Sequence, residues 1–262
     1  MNIFTVIALL VVSLGILNLL RMSFFMIGSD IYGLLKHLQK RGESNFQPSV
    51  SVVIPAFNEE KRIGKVLSDV KDQKFPFIVI DDGSKDKTSQ IAKRYTPYVL
   101  RHSINLGKGA ALKTGCLAAF KLGAEAVILM DSDGQHKASD LPKFVKALKI
   151  CDVVFGVRNF GKIPLVRLLG NKLITTIVSI LYGINAQDIL CGFKAFTRRS
   201  FEKIRWYSSG YSVETEIVAL TGKHHLKNCE VPVATLYYDK FKGLTIEQGM
   251  GIMLEIIQFK LR

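Results

Sequence analysis

The stretch "EAVILMDSDGQH" (residues 125–136) joins an apolar run directly to two carboxylates. The apolar part predicts a buried strand. Asp131 and Asp133 follow it, and residues two apart in an extended chain point to the same side. Two carboxylates so placed repel each other unless a cation lies between them. A hard divalent ion with oxygen ligands, including the amide oxygen of Gln135, is the simplest such cation. An ordinary acidic turn is the alternative, because Asp-x-Asp-Gly is also common turn chemistry.

Outward from this stretch, strand and helix patterns alternate along the chain. Continuous apolar runs predict strands at 50–55, 77–80, 98–101, 125–130 and 152–157. Helical patterns separate them near 86–94, 107–123 and 140–149. This alternation predicts an α/β fold with a doubly wound sheet. Ligands bind such sheets at the carboxyl ends of the strands, and three of these ends carry "PAFNEE", "DDGS" and "DSDGQH".

The composition narrows the choice of partners. The chain has 262 residues and a formal net charge of +14, which predicts anionic partners such as nucleic acid, anionic lipid or phosphorylated small molecules. The positive charge follows the apolar segments of the second half and no nucleic-acid motif is present, so we expect no nucleic-acid partner. The four cysteines form no CxxC pair, which predicts reduced, mostly buried thiols rather than a zinc site or a disulfide framework.

The amino-terminal segment predicts membrane attachment. Residues 1–20 carry no charged side chain and contain an apolar run long enough to cross the ~30 Å hydrocarbon layer. A cleaved signal peptide is the alternative, but its cationic start and small-residue cleavage site are missing. We therefore expect residues 1–22 to be a retained transmembrane anchor and residues 23–47 a membrane-proximal connector. Lysine and arginine outnumber acids after the anchor, so the positive-inside rule predicts a single-pass protein of the cell membrane with the remaining chain in the cytoplasm.

Two apolar segments of the second half, 163–184 and 243–262, have helical spacing with a polar face. Both are typical of amphipathic helices at a membrane interface. Packing in the core or in a homo-oligomer is the alternative. Together these patterns predict a domain over residues 48–240, followed by a carboxy-terminal amphipathic helix over residues 241–262.

Two further motifs lie where ligands are expected. "DDGS" (81–84) places two acids at a strand end, where a carboxylate can accept a hydrogen bond from a base imide or from ribose hydroxyls. "NLGKGAAL" (105–112) places a glycine-flanked lysine at a helix start, a position suited to phosphate. It is not a Walker A loop, because the GxxxxGK[ST] spacing is absent.

The order of these motifs resembles one known family. "VSVVIPAFNEE", "VIDDGSKDKT", "NLGKGAAL", "MDSDGQH", "GVRN" and "CGFKAF" follow one another as in glycosyltransferase family 2. The chain is most similar to the polyprenyl- or dolichyl-phosphate sugar synthases of that family, over about residues 48–240. The resemblance implies a GT-A fold, a nucleotide-sugar donor and Mg²⁺ or Mn²⁺ as cofactor.

The resemblance also implies residue roles on the donor side. Asp82, with Asp81 beside it, matches the acid that contacts the base. Lys108 matches a lysine near the nucleotide, and Lys240 a basic residue that reaches the donor diphosphate. The first nucleotide-binding loop is matched by Pro55, Ala56, Asn58 and Glu59. The metal and donor-phosphate motif is matched by Asp131, Asp133 and Gln135.

On the acceptor side, Arg158 in "GVRN" and Arg167 in the following helix match arginines that hold an acceptor phosphate. With Asp133 they form the expected catalytic set. Glu214 and Glu216 lie where the family places acids near the sugar; a solvated helix face is the alternative.

The resemblance therefore implies a membrane-associated inverting glycosyltransferase that moves a hexose from a UDP- or GDP-linked sugar to polyprenyl or dolichyl phosphate. A second possibility is an enzyme of the same fold that acts on a saccharide or glycolipid hydroxyl, which would need a base such as Asp133 or Glu214. A third is a membrane-tethered nucleotide binder without catalytic activity.

Overall fold

The structure is a computed structural model that describes residues 50–159 and 165–236, together with residues 251, 255, 256 and 260. The predicted anchor (1–22), the connector (23–47), Lys240 and most of the carboxy-terminal helix lie outside the described residues. None of the described helices is both long enough and apolar enough to span a membrane.

One seven-stranded sheet forms the centre of the described domain, with the strand order β3-β2-β1-β4-β6-β5-β7. Its strands are β1 (Val50–Ala56), β2 (Phe77–Asp81), β3 (Val99–Arg101), β4 (Ala126–Leu129), β5 (Val153–Arg158), β6 (Lys194–Thr197) and β7 (Asn228–Val233). The helices are α1 (Ile63–Asp72), α2 (Thr88–Ala92), α3 (Lys108–Lys121), α4 (Leu141–Leu148), α5 (Leu165–Tyr182), α6 (Arg198–Lys203) and α7 (Val213–Lys223), with a 3₁₀ turn at Ala138–Asp140.

The five predicted strands are present, but the sheet is mixed rather than simply doubly wound. β1 pairs in parallel with both β2 and β4, and β2 with β3. β6 then enters antiparallel between β4 and β5. The sequence did not predict β6, because four residues that begin with a lysine carry no strand periodicity. As a result, the strand that ends in the Asp131 motif and the strand that ends at Arg158 are separated by one antiparallel strand.

The sheet core is apolar on both faces, as the continuous strand patterns predict. Every residue of β1, β2 and β4 is buried. Helix α3 approaches the sheet closely at Gly115, where an added Cβ would overlap side-chain atoms of Val53 and Ile80. The parallel register of β1 with β2 sets Ala56 beside Asp81, so the polar strand ends come together at one edge.

The cysteine prediction was wrong for one pair. Cys151 and Cys229 form a disulfide, with Cα atoms 6.0 Å apart and a sequence separation of 78. The parallel pairing of β5 with β7 sets Val154 opposite Cys229, which brings Cys151 within reach. Cys116 and Cys191 are free and buried, as predicted. Burial, with the Asp188 carboxylate nearby, raises the pKa of Cys191 to about 11.

Helix α5 covers most of the first predicted amphipathic segment, and it packs one face inward. Ile174, Val178 and Tyr182 are buried, whereas Leu173 and Ile180 are exposed. The Tyr182 hydroxyl donates a hydrogen bond of 2.6 Å to the carbonyl of Ile256. Core packing, the alternative to an interfacial helix, therefore holds for one face of α5.

Replacing Gly115 with alanine should destabilise the domain. The new methyl group would press α3 off β1 and β2, which we expect to lower the free energy of unfolding by about 1–3 kcal/mol. Gly170→Ala is the matched control, because Gly170 is a helical glycine with open space around its Cα. Alanine at this position should raise the free energy of unfolding by about 0.5–1 kcal/mol. Urea unfolding followed by circular dichroism measures both, and equal effects would contradict the close α3 packing.

Candidate active site

The loop after β1 is tied to the loop after β2. The Asn58 backbone N–H donates to Ser84 Oγ (2.9 Å), and Asn58 Oδ1 accepts from the Lys85 N–H (2.9 Å). The Glu59 N–H donates to Thr88 Oγ1 (2.8 Å). Asn58 has a positive φ of 53°, which asparagine tolerates better than most residues. Pro55 and Ala56 end β1 immediately before this loop, so all four residues matched to the nucleotide loop form one braced segment.

The two acids of "DDGS" are buried and differ in their contacts. Asp82 Oδ1 accepts from the Leu106 N–H (2.9 Å), and Oδ2 accepts from the Gly107 N–H (2.8 Å). His102 Nδ1 lies 2.7 Å from Asp82 Oδ1. Asp82 therefore holds the chain that leads into α3. Asp81 accepts from the Ser84 N–H (2.8 Å), while its other oxygen is buried without a hydrogen bond.

Lys108 joins three segments that are remote in sequence. It begins α3, and its Nζ lies 2.7 Å from Asp131 Oδ1 and 2.5 Å from Glu214 Oε1. Burial opposes the charge of this ammonium, but the two carboxylates raise its pKa above the usual value. Lys108 is therefore a cation held between the end of β4 and the first turn of α7.

The two carboxylates after β4 are in different electrostatic states. Burial opposes ionisation of Asp131, but the Lys108 charge and His136, whose Nε2 is 3.6 Å away, hold its pKa well below the usual range. For Asp133, burial and the charge of Asp131 both raise the pKa. Asp133 Oδ1 accepts the Gln135 N–H at 3.0 Å. In the described part of the chain Asp133 has no ion pair, so it is the carboxylate that would gain most from a cation.

The residues present fit a hard divalent ion. The described residues contain no group of three or more His, Cys, Asp and Glu side chains arranged to hold a metal. The available set is two carboxylates and the Gln135 side chain, all oxygen donors of the kind that Mg²⁺ and Mn²⁺ prefer. An ion here would complete its coordination with waters or substrate phosphates, as Mg²⁺ commonly does. Asp131 would share its charge between the ion and Lys108.

Beyond β6, Arg158 is held by a carboxylate that the sequence analysis did not identify. Arg158 Nε and Nη2 donate to the two oxygens of Asp188 at 2.7 and 2.8 Å. Asp188 is fully buried. Such a bidentate pair fixes both the position and the plane of the guanidinium. The available signal was the acid before Ile189 and Leu190, just ahead of "CGFKAF", since a buried aspartate needs a cationic partner.

Glu214 and Glu216 are both buried, so the solvated-face alternative was wrong. Glu216 accepts hydrogen bonds from the N–H groups of Tyr207 (2.9 Å) and Ser208 (2.8 Å). Glu214 Oε1 is paired with Lys108, and its Oε2 is buried without a hydrogen-bond partner among the described residues. Glu216 therefore has a structural role, whereas Glu214 keeps one oxygen that no described donor satisfies.

The structure thus brings the predicted site residues together unevenly. Lys108, Asp131 and Glu214 are in direct contact, and Asp133 is next to them. The loops that carry Asn58, Asp81 and Asp82 brace one another at the adjacent strand ends. Arg158 is the last residue of β5, on the other side of β6. Arg167 lies on α5, but its side chain is outside the description, as is Lys240.

Comparison with known proteins settles the family. The sequence model of glycosyl transferase family 2 matches residues 51–205. The chain belongs to glycosyltransferase family 2. It is therefore a glycosyltransferase, and the matched residues include Lys108, Asp131, Asp133 and Arg158.

Two relatives extend the comparison over most of the chain. The UDP-N-acetylglucosamine–dolichyl-phosphate N-acetylglucosaminyltransferase of Methanococcus voltae is 28% identical over 243 residues, which cover 81% of this chain and 96% of that enzyme. A dolichyl-phosphate beta-glucosyltransferase of Trichomonas vaginalis is 33% identical over 213 residues, which cover 70% of this chain and 64% of that enzyme.

A solved structure shows the same fold. The chain is similar to glucosyl-3-phosphoglycerate synthase from Mycobacterium tuberculosis, with a TM-score of 0.64 and 20% sequence identity. That crystal structure is a complex with Mn²⁺, uridine diphosphate and glucosyl-3-phosphoglycerate. The match covers 82% of this chain and 79% of that one. The fold is therefore α/β of the GT-A type, with the mixed seven-stranded sheet described above.

The two glutamates of α7 should separate stability from activity. In Glu216→Gln one carboxylate oxygen becomes an NH₂ group that cannot accept from a backbone N–H, so we expect a loss of about 1–3 kcal/mol in unfolding free energy. Glu214→Gln should leave the unfolding free energy nearly unchanged. It should slow sugar transfer about 10- to 100-fold, the range for groups that orient metal-ligating residues. Urea unfolding measures the stability of both variants, and a transfer assay measures their activity. A loss of stability in Glu214→Gln with a loss of activity alone in Glu216→Gln would contradict these roles.

Proposed function

We propose that this family 2 enzyme is a membrane-associated inverting glycosyltransferase that moves a hexose from a UDP- or GDP-linked sugar to polyprenyl or dolichyl phosphate. The observation that carries the proposal is the contact of Lys108 with Asp131 and Glu214, beside the carboxylate of Asp133, which has no ion pair among the described residues. This arrangement offers a cation and a divalent-ion site at the strand ends where a nucleoside diphosphate would bind. The names of the two relatives support a dolichyl-phosphate acceptor.

The donor would lie over the ends of β1, β2 and β4. The braced loops that carry Pro55, Ala56, Asn58 and Glu59, with the acids Asp81 and Asp82 beside them, would form the wall for the base and ribose. Lys108 would keep its charge near the phosphates, and Lys240 would approach the diphosphate from the carboxy-terminal segment.

Asp133, with Asp131 and Gln135, would hold Mg²⁺ or Mn²⁺. The bound ion would supply charge neutralisation for the departing nucleoside diphosphate. Glucosyl-3-phosphoglycerate synthase, which shares the fold, has been crystallised with Mn²⁺ and with Mg²⁺, each together with uridine diphosphate. Burial and the charge of Asp131 raise the pKa of Asp133, and a cation bound beside it would favour its ionised form.

The acceptor would be held by arginine. A lipid phosphate is substantially dianionic near pH 7, because the second pKa of such a group is about 6. It can attack the anomeric carbon directly, with inversion, and needs no strong base. Arg158, oriented by Asp188, and Arg167 on α5 would position it, since guanidinium matches phosphate geometry.

Membrane attachment would bring the enzyme to this acceptor. The net charge of +14 suits an anionic lipid surface, and the exposed Leu173 and Ile180 of α5 suit partial insertion at an interface. The apolar segment over residues 1–22 would anchor the chain with its catalytic domain on the cytoplasmic side.

One observation favours a second candidate, a sugar or glycolipid hydroxyl as acceptor. Glu214 Oε2 is buried without a hydrogen-bond partner among the described residues, and such an oxygen can accept a proton from an attacking hydroxyl. The same oxygen can instead bind a hydroxyl of the transferred sugar, which is compatible with the lipid-phosphate acceptor. The acceptor therefore has to be identified by assay.

The direct test is a panel of radiolabelled UDP- and GDP-sugars supplied to membranes that contain the protein, with polyprenyl phosphate or glycolipid as acceptor. The proposal predicts a labelled lipid that releases its sugar in mild acid, as expected of a sugar linked to lipid phosphate. Transfer only to glycolipid would establish the second candidate instead. Transfer to neither acceptor from any donor would contradict both.

The metal assignment makes a separate prediction. Asp133→Asn removes the carboxylate that has no ion pair among the described residues, so we expect transfer to fall at least about 100-fold with unfolding unchanged. EDTA should reduce the wild-type rate to below about a tenth of that with Mg²⁺ or Mn²⁺. Asp69→Asn is the matched control, because Asp69 is an exposed carboxylate paired with Lys65. Full activity of Asp133→Asn, or of the wild type in EDTA, would refute the assignment.

A further inference from the structure

β6 occupies the position between the two halves of the proposed site. Its first residue, Lys194, is in register with Leu129 of β4 on one side and with Phe155 of β5 on the other. β4 leads directly to Asp131, and β5 ends at Arg158. The sequence motif "CGFKAF" contains Lys194, yet no part of the proposed mechanism uses this residue.

Lys194 is buried to an unusual degree for a lysine. Its exposed fraction is 0%, and its Nζ lies 5.6 Å from the centre of the Phe155 ring. Burial of an amino group is costly unless its donors are satisfied. Here the Nζ donates to the carbonyls of Ile189 (3.0 Å) and Cys191 (2.5 Å). A lysine in this position is therefore bound to the preceding loop rather than to solvent.

That loop, residues 188–193, contacts both halves of the site. At one end Asp188 accepts three hydrogen bonds from Arg158, two from the guanidinium and one from the backbone N–H at 3.2 Å. At Gly192 the backbone lies so close to Asp131 that an added Cβ would overlap the carboxylate. The Phe193 carbonyl accepts the Gly156 N–H at 2.8 Å, which ties the loop to β5. The two carbonyls that Lys194 binds lie between the Asp188 contact and the Gly192 contact.

We infer that Lys194 is a positioning residue that fixes the 188–193 loop and so sets two groups at once, the Asp131 carboxylate through Gly192 and the Arg158 guanidinium through Asp188. Lys194 touches neither substrate. A change at Lys194 should affect the donor side and the acceptor side together, because one loop carries both contacts. This inference rests on the proposed function only for the names of the two ligands.

Four variants of the full-length protein separate this role from ordinary core packing. Lys194→Met removes the donors but keeps an unbranched apolar chain. Gly192→Ala disturbs the Asp131 contact, and Asp188→Asn weakens the Arg158 contact. Val70→Ala, in the buried face of α1, is a core control for general loss of stability.

Two quantities are measured for each variant. The first is the affinity for Mn²⁺ alone, determined from the electron paramagnetic resonance signal of the free ion. The second is the KM for polyprenyl phosphate. Lys194→Met should weaken Mn²⁺ binding about tenfold and also raise the KM about tenfold. Gly192→Ala should change only Mn²⁺ binding, and Asp188→Asn only the KM. Val70→Ala should change neither by more than about twofold, even though it lowers stability.

Amide hydrogen exchange gives a third readout that does not depend on activity. The amides of residues 188–193 should exchange faster in Lys194→Met and at the wild-type rate in Val70→Ala. Lys194→Gln, which keeps an NH₂ donor, should show the same pattern as Lys194→Met with smaller changes, and it carries the test if the methionine variant does not fold.

The inference is overturned if the Lys194 variants match Val70→Ala in both readouts, or if only one half of the site responds. Its failure is distinguishable from failure of the proposed function. If the wild type transfers no sugar to polyprenyl phosphate, the proposed acceptor is wrong, while Mn²⁺ binding and exchange at residues 188–193 still decide the role of Lys194.

Discussion

The ammonium of Lys108, held between the carboxylates of Asp131 and Glu214, is the interaction on which the site depends. Its three charged groups come from the start of α3, the end of β4 and the first turn of α7. These segments are far apart in the sequence, so no local sequence pattern indicates that they are in contact. A buried carboxylate without a counterion is strongly disfavoured. The pairing therefore allows Asp131 to remain ionised at the strand end, whereas Asp133 has no cationic partner within the described part of the chain.

The mixed sheet explains why the site has two halves. Parallel pairing of β1 with β2 and β4 collects the donor-side residues, including Asp81 and Asp131, at one edge. The antiparallel strand β6 then separates them from Arg158, the last residue of β5. The proposed direct displacement would bring two anions together, the attacking phosphate and the departing diphosphate, and separate cationic groups on either side of one strand would suit that chemistry.

Much of this could be predicted from the sequence, and the misses have physical causes. β1 to β5 were predicted because strands buried on both faces are continuous apolar runs. β6 was missed because it begins with Lys194, whose burial depends on the carbonyls of a loop that local sequence does not place. Asp188 and the Cys151–Cys229 disulfide were missed for a similar reason, because each depends on the pairing of distant segments. Asp131 and Asp133 were singled out because two carboxylates follow a buried strand directly, and their roles, which the family resemblance implies, stay predictions.

The most direct measurement of the central claim is a double-mutant cycle on Lys108 and Asp131, with kcat/KM for sugar transfer as the readout. If the two residues act as one unit, Lys108→Met and Asp131→Asn should each lower kcat/KM by about 100-fold. The double variant should then be little worse than the more severe single variant. Multiplicative losses of about 10⁴-fold in the double variant would show that the residues act independently and would contradict this account of the site.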